Sequence, residues 1–552
     1  MKYKPIAEVL SKLESTTKRL EMTKILTDFL KNVDKEDLEK VILLLMGTIF
    51  PEHSEETIGV ADKLMIKVIN KASGSDEKEI TKMWKDTGDL GEVAEELMKE
   101  RKQSTLSKDE LTVKKVFNNL EKVSRAEGKG SVSDKVSLIS ELLTNAEPLE
   151  AKYLTRTVLG TLRVGVGRGT IRNAISETFN CDKKLVEKAY NLTADYSKVV
   201  SIAAGKGDKG LKKVGLDIGR PAKSMLYQKE ESIKDGFERV GRPAAIQYKY
   251  DGLRMQVHKK NDEVKLYTRR LDEVTKMFPE VVKAVKQNVK QDCVLDAEGV
   301  GYHPKKKSYK PFQEISKRIK RKYDIEKLAE ETPVVLYIFD ILNYNGESCL
   351  GKPYKERLKI LKKSVNEKKW SIELANQLIT NEEGEAQEFY DEALKKDQEG
   401  VIMKNLEAPY KPGSRVGYGV KIKPIMEPLD LTITGATWGK GRRSNWLSSF
   451  VLSCKKEEGY LEIGKLGTGL SDEQFKEVTK KLKPLITKEE GKEVSVKPEI
   501  IIEVAYEEIQ KSPTYSSGYA LRFPRLIRFR PDKEEPDSLE RVKKIYKEQS
   551  KK

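Results

Sequence analysis

Histidine and cysteine are scarce in this chain of 552 residues. The three histidines, His53, His258 and His303, argue against a histidine-based metal site and against a Ser/His/Asp triad. The four cysteines form no CxxC pair, so a zinc ribbon is not indicated, and scattered thiols of this kind are typical of a reducing cytosol. The cysteines are Cys181, Cys293, Cys349 and Cys454.

Long apolar segments are also lacking. The longest apolar run, residues 41–50, is far too short to span a bilayer. The N-terminus has no signal-peptide pattern. We therefore expect no membrane role and a cytoplasmic location.

Positive charge is in excess, with 105 Lys and Arg against 88 Asp and Glu and a net charge of +17. This balance favours a polyanionic partner, and nucleic acid is the commonest one. A surface of mixed charge is the alternative, because 35% of the residues are charged. The length predicts three or four domains.

Three segments differ in their hydrophobic pattern. Residues 1–210 have apolar residues at spacings of three and four, which predicts an all-helical domain. Residues 211–427 predict an α+β domain with antiparallel sheets, including a hairpin at 255–268. Residues 428–552 predict a small β-barrel that ends in a charged helix. The strands predicted in this last segment are 429–434, 450–454, 461–465 and 500–504.

One predicted helix of the first segment carries a basic stripe. Lys152, Arg156 and Arg163 fall within roughly 40° of one another at about 100° per residue. A basic stripe on a helix with an apolar opposite face suits contacts with phosphates of nucleic acid. A solvated charged face explains the stripe equally well.

Lys249 begins the pattern KxDGxR, which ends at Arg254. A lysine amine can attack phosphorus, Gly252 lets the backbone come close, and Arg254 can hold a phosphate. The pattern lies between two strand-like runs, so we expect Lys249 at the edge of a sheet. Taken alone, a turn with a solvated lysine is the alternative.

Further motifs follow KxDGxR in a fixed order. They occupy residues 268–272, 295–299, 337–340, 399–404, 410–415, 421–424 and 521–533. The series is similar to that of the covalent nucleotidyltransferases. Together with residues 150–156, 161–165 and 438–443, it resembles the archaeal type of ATP-dependent DNA ligase. The resemblance covers nearly the whole chain and implies a helical DNA-binding domain, a nucleotidyltransferase domain and a C-terminal OB-fold.

The resemblance also implies a function and partners. Such a ligase seals nicks in duplex DNA through a lysyl-AMP and a DNA-adenylate, in replication, repair and recombination. ATP is its co-substrate and Mg²⁺ its metal, and we expect a monomer associated with the nucleoid. Residues 103–106, from Gln103 to Leu106, lie where archaeal-type ligases carry a sliding-clamp motif. They lack its aromatic pair, so a polar loop is the alternative.

By position, the resemblance gives roles to residues of the early motifs. Lys249 becomes adenylylated on its ε-nitrogen, and Gln247 contacts the adenine. Arg254 and Arg269 hold phosphate and ribose. Glu298 takes a ribose hydroxyl.

The middle and late motifs receive roles in the same way. Phe339 stacks on the adenine, and Glu399 binds the metal together with Glu298. Basic residues supply the remaining nucleotide contacts, and the last two of them orient pyrophosphate as the leaving group when the barrel closes. These residues are Arg415, Lys421, Lys423, Arg525 and Lys533.

Three positions depart from the family pattern. Gln247 stands where Glu is usual, although an amide can still accept a hydrogen bond from the exocyclic amine of adenine. Ala297 stands where Gly is common. Gly419 replaces a common Trp ahead of Lys421.

Other functions stay open at this point. An mRNA capping enzyme or an RNA ligase shares the lysine motif, but the long helical segment and the complete last motif favour a DNA ligase. A non-enzymatic DNA-binding protein explains the charge but not the ordered central motifs. The lack of a four-cysteine zinc site disfavours an NAD-dependent ligase of the bacterial type.

Overall fold

A computed structural model describes residues 1–54, 56–100, 109–319, 323–424, 426–439, 443 and 445–549. The chain packs into two compact units. The first consists of Met1–Tyr227, Asp251–Ala375 and Leu406–Gly417, and the second of Gln228–Tyr250, Asn376–Asn405 and Tyr418–Lys552. No helix within the described residues has the length and apolar character needed to cross a membrane.

Helices and strands are numbered in chain order. The helices are α1 (Lys4–Glu14), α2 (Arg19–Leu30), α3 (Leu38–Leu45), α4 (Asp62–Ser73), α5 (Glu77–Thr87), α6 (Leu90–Lys99), α7 (Val113–Arg125), α8 (Ser131–Asn145), α9 (Pro148–Val158), α10 (Arg168–Thr178), α11 (Lys183–Thr193), α12 (Tyr196–Lys212), α13 (Ile233–Val240), α14 (Pro279–Asn288), α15 (Phe312–Ile319), α16 (Ile325–Glu331), α17 (Tyr354–Ser364), α18 (Glu383–Lys395), α19 (Asp472–Leu482) and α20 (Leu539–Gln549). The strands are β1 (Leu226–Glu230), β2 (Ala244–Lys249), β3 (Leu253–Lys260), β4 (Glu263–Thr268), β5 (Cys293–Gly301), β6 (Val334–Tyr344), β7 (Glu347–Ser348), β8 (Ile372–Leu374), β9 (Gln377–Thr380), β10 (Gly400–Asn405), β11 (Arg415–Ile422), β12 (Leu429–Trp438), β13 (Leu447–Lys455), β14 (Tyr460–Leu466), β15 (Ile486–Glu490), β16 (Glu493–Val496), β17 (Ile501–Ala505), β18 (Glu508–Lys511), β19 (Tyr519–Arg522) and β20 (Arg525–Phe529).

The N-terminal region consists of α1–α12 packed around one apolar core, which confirms its predicted helical character. Several of these helices begin after an aspartate whose carboxylate accepts the backbone N–H two residues further on. Such a cap satisfies a donor that the start of a helix leaves unpaired. The capping residues are Asp76, Asp89, Asp182 and Asp195.

Helices α6 and α9 approach each other closely at Gly91. A side-chain carbon added there would lie 2.8 Å from Cγ of Arg156 and 2.9 Å from the backbone oxygen of Lys152. Both distances are shorter than atoms tolerate, so Gly91 is required for this contact. The close approach places Asp89, which caps α6, beside the guanidinium of Arg156.

The first unit also contains a sheet in the order β4-β3-β5-β6-β7, with β8 parallel to β6. Strands β3 and β4 form the predicted hairpin, and Asn261 adopts the left-handed conformation at its turn (φ 51°). Helices α14 and α17 pack on the sheet, and buried side chains such as Phe278 and Leu361 fill the space between them. The predicted mixture of helices with antiparallel strands is confirmed in this region.

The second unit contains a five-stranded sheet in the order β1-β11-β10-β2-β9. Strand β2 pairs antiparallel with β10 and β9, and β10 pairs antiparallel with β11. Helices α13 and α18 pack on this sheet. Gly236 of α13 allows the closest approach, because a side-chain carbon there would lie 2.4 Å from the sulfur of Met403.

The C-terminal region is strand-rich, and the predicted strands correspond to β12, β13, β14 and β17. Strand β12 pairs with β13 on one side and successively with β17 and β16 on the other. Register shifts near Ile433 and Thr437 bend it. Among the described strands, β14, β15 and β20 each have one neighbour, so the expected closed barrel is not detected.

We expect Gly91→Ala to destabilise the protein, because the added methyl group would collide with α9; overpacking of this kind costs about 1–3 kcal/mol. Gly205 of α12 is the matched control, since a side-chain carbon there would meet no atom within 4 Å. Gly205→Ala should stabilise by about 0.5–1 kcal/mol. Calorimetric unfolding of both variants tests this. A Gly91→Ala variant as stable as the unaltered protein would contradict the close approach.

Candidate active site

Lys249 is the last residue of β2, and pairing with β10 fixes its position. Its backbone oxygen accepts the N–H of Glu399 at 2.9 Å, and Gly400 lies opposite it. Gly400 has a φ of 137°, and a side-chain carbon there would lie 2.2 Å from the backbone oxygen of Ile422. Glycine is therefore required beside Lys249 for β10 and β11 to come together.

Four residues with predicted roles in nucleotide binding lie in two adjacent rows that run across the strands of this sheet. Gln247 of β2 and Lys421 of β11 both lie opposite Ile402 of β10. Lys249 and Lys423 come two residues after Gln247 and Lys421 respectively. Because residues two apart on a strand face the same side, the sheet directs Gln247, Lys249 and Lys421 to one face.

Glu399 joins two of these lysines. Its carboxylate accepts a hydrogen bond from Nζ of Lys249 at 2.5 Å and forms an ion pair with Lys423. Nζ of Lys423 also lies 3.5 Å from a carboxylate oxygen of Glu507. The side chains of Lys249, Glu399 and Lys423 are 20%, 14% and 18% exposed, so water screens these charges only weakly.

The protonation of this cluster follows from two opposing effects. Burial alone would raise the pKa of the Glu399 carboxyl, but the two ammonium groups outweigh burial and hold that pKa well below its ordinary value. Burial would lower the pKa of Lys423, but its ion pair with Glu399 raises that pKa instead. Glu399 is therefore negative and Lys423 positive at neutral pH.

Arg254 lies on β3 of the first unit and forms a two-point ion pair with Asp296. Its Nε and Nη2 donate to the two carboxylate oxygens at 3.0 and 2.5 Å. Nη1 donates to the backbone oxygen of Met225 at 3.0 Å, and Nη2 lies 3.3 Å from the hydroxyl of Tyr410. The guanidinium carbon is 5.4 Å from the centre of the Phe339 ring, the aromatic ring expected to stack on adenine.

Further predicted residues surround Arg254. Burial lowers the pKa of Arg269, nearby Arg254 and Arg415 lower it further, and Glu298 opposes them. Glu298 lies opposite Arg254 in the ladder between β3 and β5. Glu298 is thus a neighbour of Arg254 on the sheet, and Arg254 and Arg415 are near enough to Arg269 to influence its pKa, an arrangement suited to phosphate and ribose.

Asp251 and Gly252, in the middle of the KxDGxR pattern, are required for packing as well as for chemistry. A side-chain carbon at Gly252 would lie 2.6 Å from the backbone oxygen of Gly299 and 2.8 Å from Cγ of Glu298. The Asp251 carboxylate accepts the backbone N–H of Phe312 at 3.1 Å, at the start of α15. Both residues fix the turn that joins β2 to β3.

The late motif lies in the strand-rich region. Nζ of Lys533 is 2.8 Å from a carboxylate oxygen of Asp430, and Arg530 donates to both oxygens of Asp430 at 2.9 Å. Arg525 begins β20 and is exposed. The expected contact of Arg525 and Lys533 with pyrophosphate stays a prediction.

The three residues predicted as one basic stripe do not share a helix, because α9 ends at Val158 and Arg163 follows it with a left-handed φ of 59°. All three side chains pair with carboxylates. Arg156 is 2% exposed and donates to both Glu14 and Asp89. Lys152 lies 3.3 Å from Glu14, and Arg163, which is 42% exposed, lies 3.0 Å from Asp89. Burial raises the pKa of Glu14, but Arg156 and its other donors lower it to about 2. Contact of these three basic residues with DNA stays a prediction, and Arg156 would have to leave its carboxylates to make it.

Sequence reasoning missed the carboxylates and the phenol that hold these cations. Asp296 is fully buried beside Arg254, and Tyr410 begins a motif in which only later residues were given roles. One signal was available for Asp296, because a charged residue inside an apolar strand is almost always paired. Glu14 and Asp89 gave no such signal, since each is far from Arg156 in sequence.

The predicted Mg²⁺ site and the predicted clamp contact both stay predictions. No group of three or more His, Cys, Asp or Glu side chains that could hold a metal ion occurs in the part of the chain that the structure describes. The segment from Gln103 to Leu106 lies outside the described residues.

We expect Glu399→Gln to destabilise the protein, because it leaves Lys249 and Lys423 without their shared counter-charge. Removing one partner of a largely buried pair costs about 3–5 kcal/mol. Glu507→Gln is the control, because Glu507 is 32% exposed and lies 3.5 Å from Lys423; we expect a loss below about 1 kcal/mol.

The contribution of Glu399 has a defined dependence on pH. Since its pKa is depressed in the folded protein, the stabilisation is present above the ordinary value of 4.5 and is lost on acidification below it. Thermal unfolding of the three proteins between pH 7 and pH 3 measures both effects. Equal stability of the two variants at pH 7 would refute the assigned role of Glu399.

Three family models match this chain, one in each of its three segments. Residues 2–176 match the family described as DNA ligase N terminus, residues 224–423 the ATP dependent DNA ligase domain, and residues 443–533 the ATP dependent DNA ligase C terminal region.

Curated relatives match over their full length. The DNA ligase of Nanoarchaeum equitans is 46% identical over 100% of this chain and 99% of its own. The DNA ligase of Thermococcus fumicolans is 44% identical over 99% and 98% of the two chains.

A solved structure named Pmar-Lig_PreS3 shares the fold. Its TM-score is 0.58 at 17% identity, over 95% of this chain and 99% of that one. The matched families and the full-length relatives agree, and this chain belongs to the ATP-dependent DNA ligases.

Proposed function

We propose that Lys249 is the residue on which this ligase carries AMP. The observation that carries the proposal is the cluster on one sheet face, where Lys249 and Lys423 share the Glu399 carboxylate. Phosphoryl transfer depends on position and charge neutralisation more than on acid–base groups. A site that holds a primary amine beside a second fixed cation supplies both a positioned nucleophile and a charge that neutralises the phosphate.

Nick sealing by an ATP-dependent ligase then proceeds through three successive phosphoryl transfers. After losing its proton, Nζ of Lys249 attacks the α-phosphorus of ATP, so a P–N bond forms and the bond to pyrophosphate breaks. An oxygen of the 5′-phosphate at the nick takes the adenylyl group, and the P–N bond breaks. The 3′-hydroxyl attacks the same 5′-phosphorus, so a phosphodiester forms and AMP leaves.

The nucleotide contacts follow from the two clusters. In the first unit, Arg254, Arg269 and Arg415 are proposed to hold phosphate and ribose, with Glu298 on a ribose hydroxyl and Phe339 on the adenine face. The position of Glu298 opposite Arg254 and the 5.4 Å between the Arg254 guanidinium and the Phe339 ring support this grouping, and the influence of Arg254 and Arg415 on the pKa of Arg269 agrees with it.

Gln247, Lys421 and Lys423 are proposed to make the base-edge and α-phosphate contacts. Gln247 is 3% exposed, and its amide nitrogen donates to Gln377 at 3.3 Å. Its position on the same sheet face as Lys249 supports an adenine contact. The position of Lys421, opposite the same residue of β10 as Gln247, supports a contact of Lys421 with the α-phosphate, with Lys423 beside it.

The residues present fit a Mg²⁺ ion that has few protein ligands and takes most of its other ligands from phosphates and water. Mg²⁺ at phosphate sites is bound through one or two carboxylates, keeps several waters and takes substrate oxygens as further ligands. Glu399 and Glu298 are the proposed carboxylates. Adenylylation removes the positive charge of Lys249 and so leaves Lys423 as the remaining ammonium partner of the Glu399 carboxylate. When bound, Mg²⁺ neutralises charge on the phosphates.

The remaining assignments are proposals about organisation. We propose domain boundaries at residues 1–210, 211–427 and 428–552, and an OB-fold for the last domain, supported by the bent β12 that pairs with β13, β16 and β17. A nucleoid-associated monomer that acts in replication, repair and recombination, with Gln103 to Leu106 as a clamp contact, completes the proposal. A net charge of +17 supports contacts with the DNA backbone.

Lys249→Ala should abolish the gain of one AMP when the purified protein is incubated with ATP and Mg²⁺ without DNA. Intact mass spectrometry measures this gain. Lys260→Ala, which changes an exposed lysine at the end of β3, should adenylylate normally. Nicked duplex should discharge the AMP from the unaltered protein. An adduct that persists in Lys249→Ala would overturn the proposal.

Nick binding should weaken steeply as salt rises, because phosphate contacts release counterions. If Arg163 contacts a phosphate, Arg163→Ala should reduce the slope of log affinity against log salt by about 1. Arg163→Lys, which keeps the charge, should retain most of the slope. Fluorescence anisotropy with a nicked duplex measures it. An unchanged slope for Arg163→Ala would remove Arg163 from the DNA interface.

A further inference from the structure

The hydroxyl of Tyr410 is the meeting point of three separate chain segments in the first unit. It donates to Oδ2 of Asp296 at 2.7 Å and accepts the backbone N–H of Met225 at 3.1 Å. It also lies 3.3 Å from Nη2 of Arg254. Tyr410 is 3% exposed and Asp296 is fully buried, so water does not compete for these bonds.

Arg254 is almost fully committed within this network. A guanidinium has five N–H donors, and Arg254 uses four of them on Asp296, Met225 and Tyr410. Among the described residues, no partner is seen for the remaining N–H, on Nη1, which could bind a ligand. A single remaining donor can reach a phosphate or ribose oxygen only if the whole guanidinium is held in the correct place.

The ion pair with Asp296 is not sufficient by itself to fix the position of the Arg254 guanidinium. Asp296 could rotate with Arg254 as a unit, but the Tyr410 hydroxyl ties one of its oxygens to the Met225 backbone. The segment after Tyr410 is also fixed, because Lys411 N–H donates to the sulfur of Met225 and Leu226 N–H donates to the backbone oxygen of Ser414. This segment leads directly into Arg415, at the start of β11.

We propose that Tyr410 is a positioning residue for adenylyl transfer, which fixes the one ligand-directed N–H of Arg254 through Asp296 and Met225. The inference rests on the proposed function, since it requires Arg254 to contact the nucleotide. The Tyr410 hydroxyl is used entirely within the protein, and its effect on the reaction passes through the guanidinium.

The test is Tyr410→Phe, which removes one oxygen and leaves the ring in place. The rate of adenylylation by radiolabelled ATP and Mg²⁺ is measured in single turnover, at saturating ATP and without DNA. We expect a fall of about 10-fold in the rate constant, because small displacements of a positioning group are costly to transfer. We expect the KM for ATP to change by less than about 3-fold, since Arg254 keeps its charge near the ligand.

Tyr3→Phe is the matched control. Tyr3 is fully buried in the helical region, and its hydroxyl has no hydrogen-bond partner among the described residues. It should adenylylate at the unaltered rate. Melting temperatures of both variants show whether a rate loss reflects unfolding.

A double-mutant cycle separates positioning from a general structural effect. In an Arg254→Lys background, which lacks the planar fork, Tyr410→Phe should change the rate by less than about 2-fold, because the group it positions is gone. An equal 10-fold loss in both backgrounds would overturn the proposal, and so would a Tyr410→Phe enzyme as fast as the unaltered one. Absence of label on Lys249 in the unaltered enzyme would instead refute the proposed function.

Discussion

The attraction of buried carboxylates for crowded cations is the interaction on which this structure depends. An enzyme that transfers phosphate has to gather positive charges, yet two unit charges 4 Å apart repel by about 4 kcal/mol at an effective dielectric constant of about 20. Glu399 resolves this for Lys249 and Lys423, which it contacts together. The carboxylate belongs to the residue just before β10, so the ladder itself brings the three charges together.

The same solution recurs through the chain. Arg357 is 2% exposed and donates to both oxygens of Asp340, which is 1% exposed. In the helical region Arg156 pairs with Asp89, the residue that also caps α6. Each of these pairs joins two different elements, α17 with β6 and α9 with the start of α6, so the buried charges hold the elements of the fold together. Removing one partner leaves the other uncompensated, which is why single substitutions there are costly.

Much of the fold and part of the site could be predicted from local patterns. The helical region, the hairpin of β3 and β4 and the strands of the C-terminal region follow from periodicity alone. The face shared by Gln247 and Lys249 follows from their spacing of two residues. The closed barrel that was expected is not detected among the described strands. The pairing of strands distant in sequence, such as β12 with β17, could not be predicted from local patterns.

The partners of the predicted cations were beyond the reach of the sequence for the same reason. Tyr410 meets Arg254 and Asp296 across separations of 156 and 114 residues, and no local pattern contains that contact. The predicted basic stripe is right only for Lys152 and Arg156, since Arg163 lies beyond the end of α9, and their partners Glu14 and Asp89 come from α1 and the start of α6. A stripe identified from one helix therefore cannot tell a free basic face from one already neutralised.

The depressed pKa of Glu399 and the raised pKa values of Lys423 and Arg254 have a consequence for the conditions under which the enzyme works. None of these groups changes its charge between mildly acidic and mildly alkaline solution. His258, which would ordinarily titrate there, is buried, and burial lowers its pKa to about 3. The charges of Glu399, Lys423, Arg254 and His258 are thus constant over that range, so a moderate change in acidity leaves the ion pairs of Glu399 and Arg254 intact.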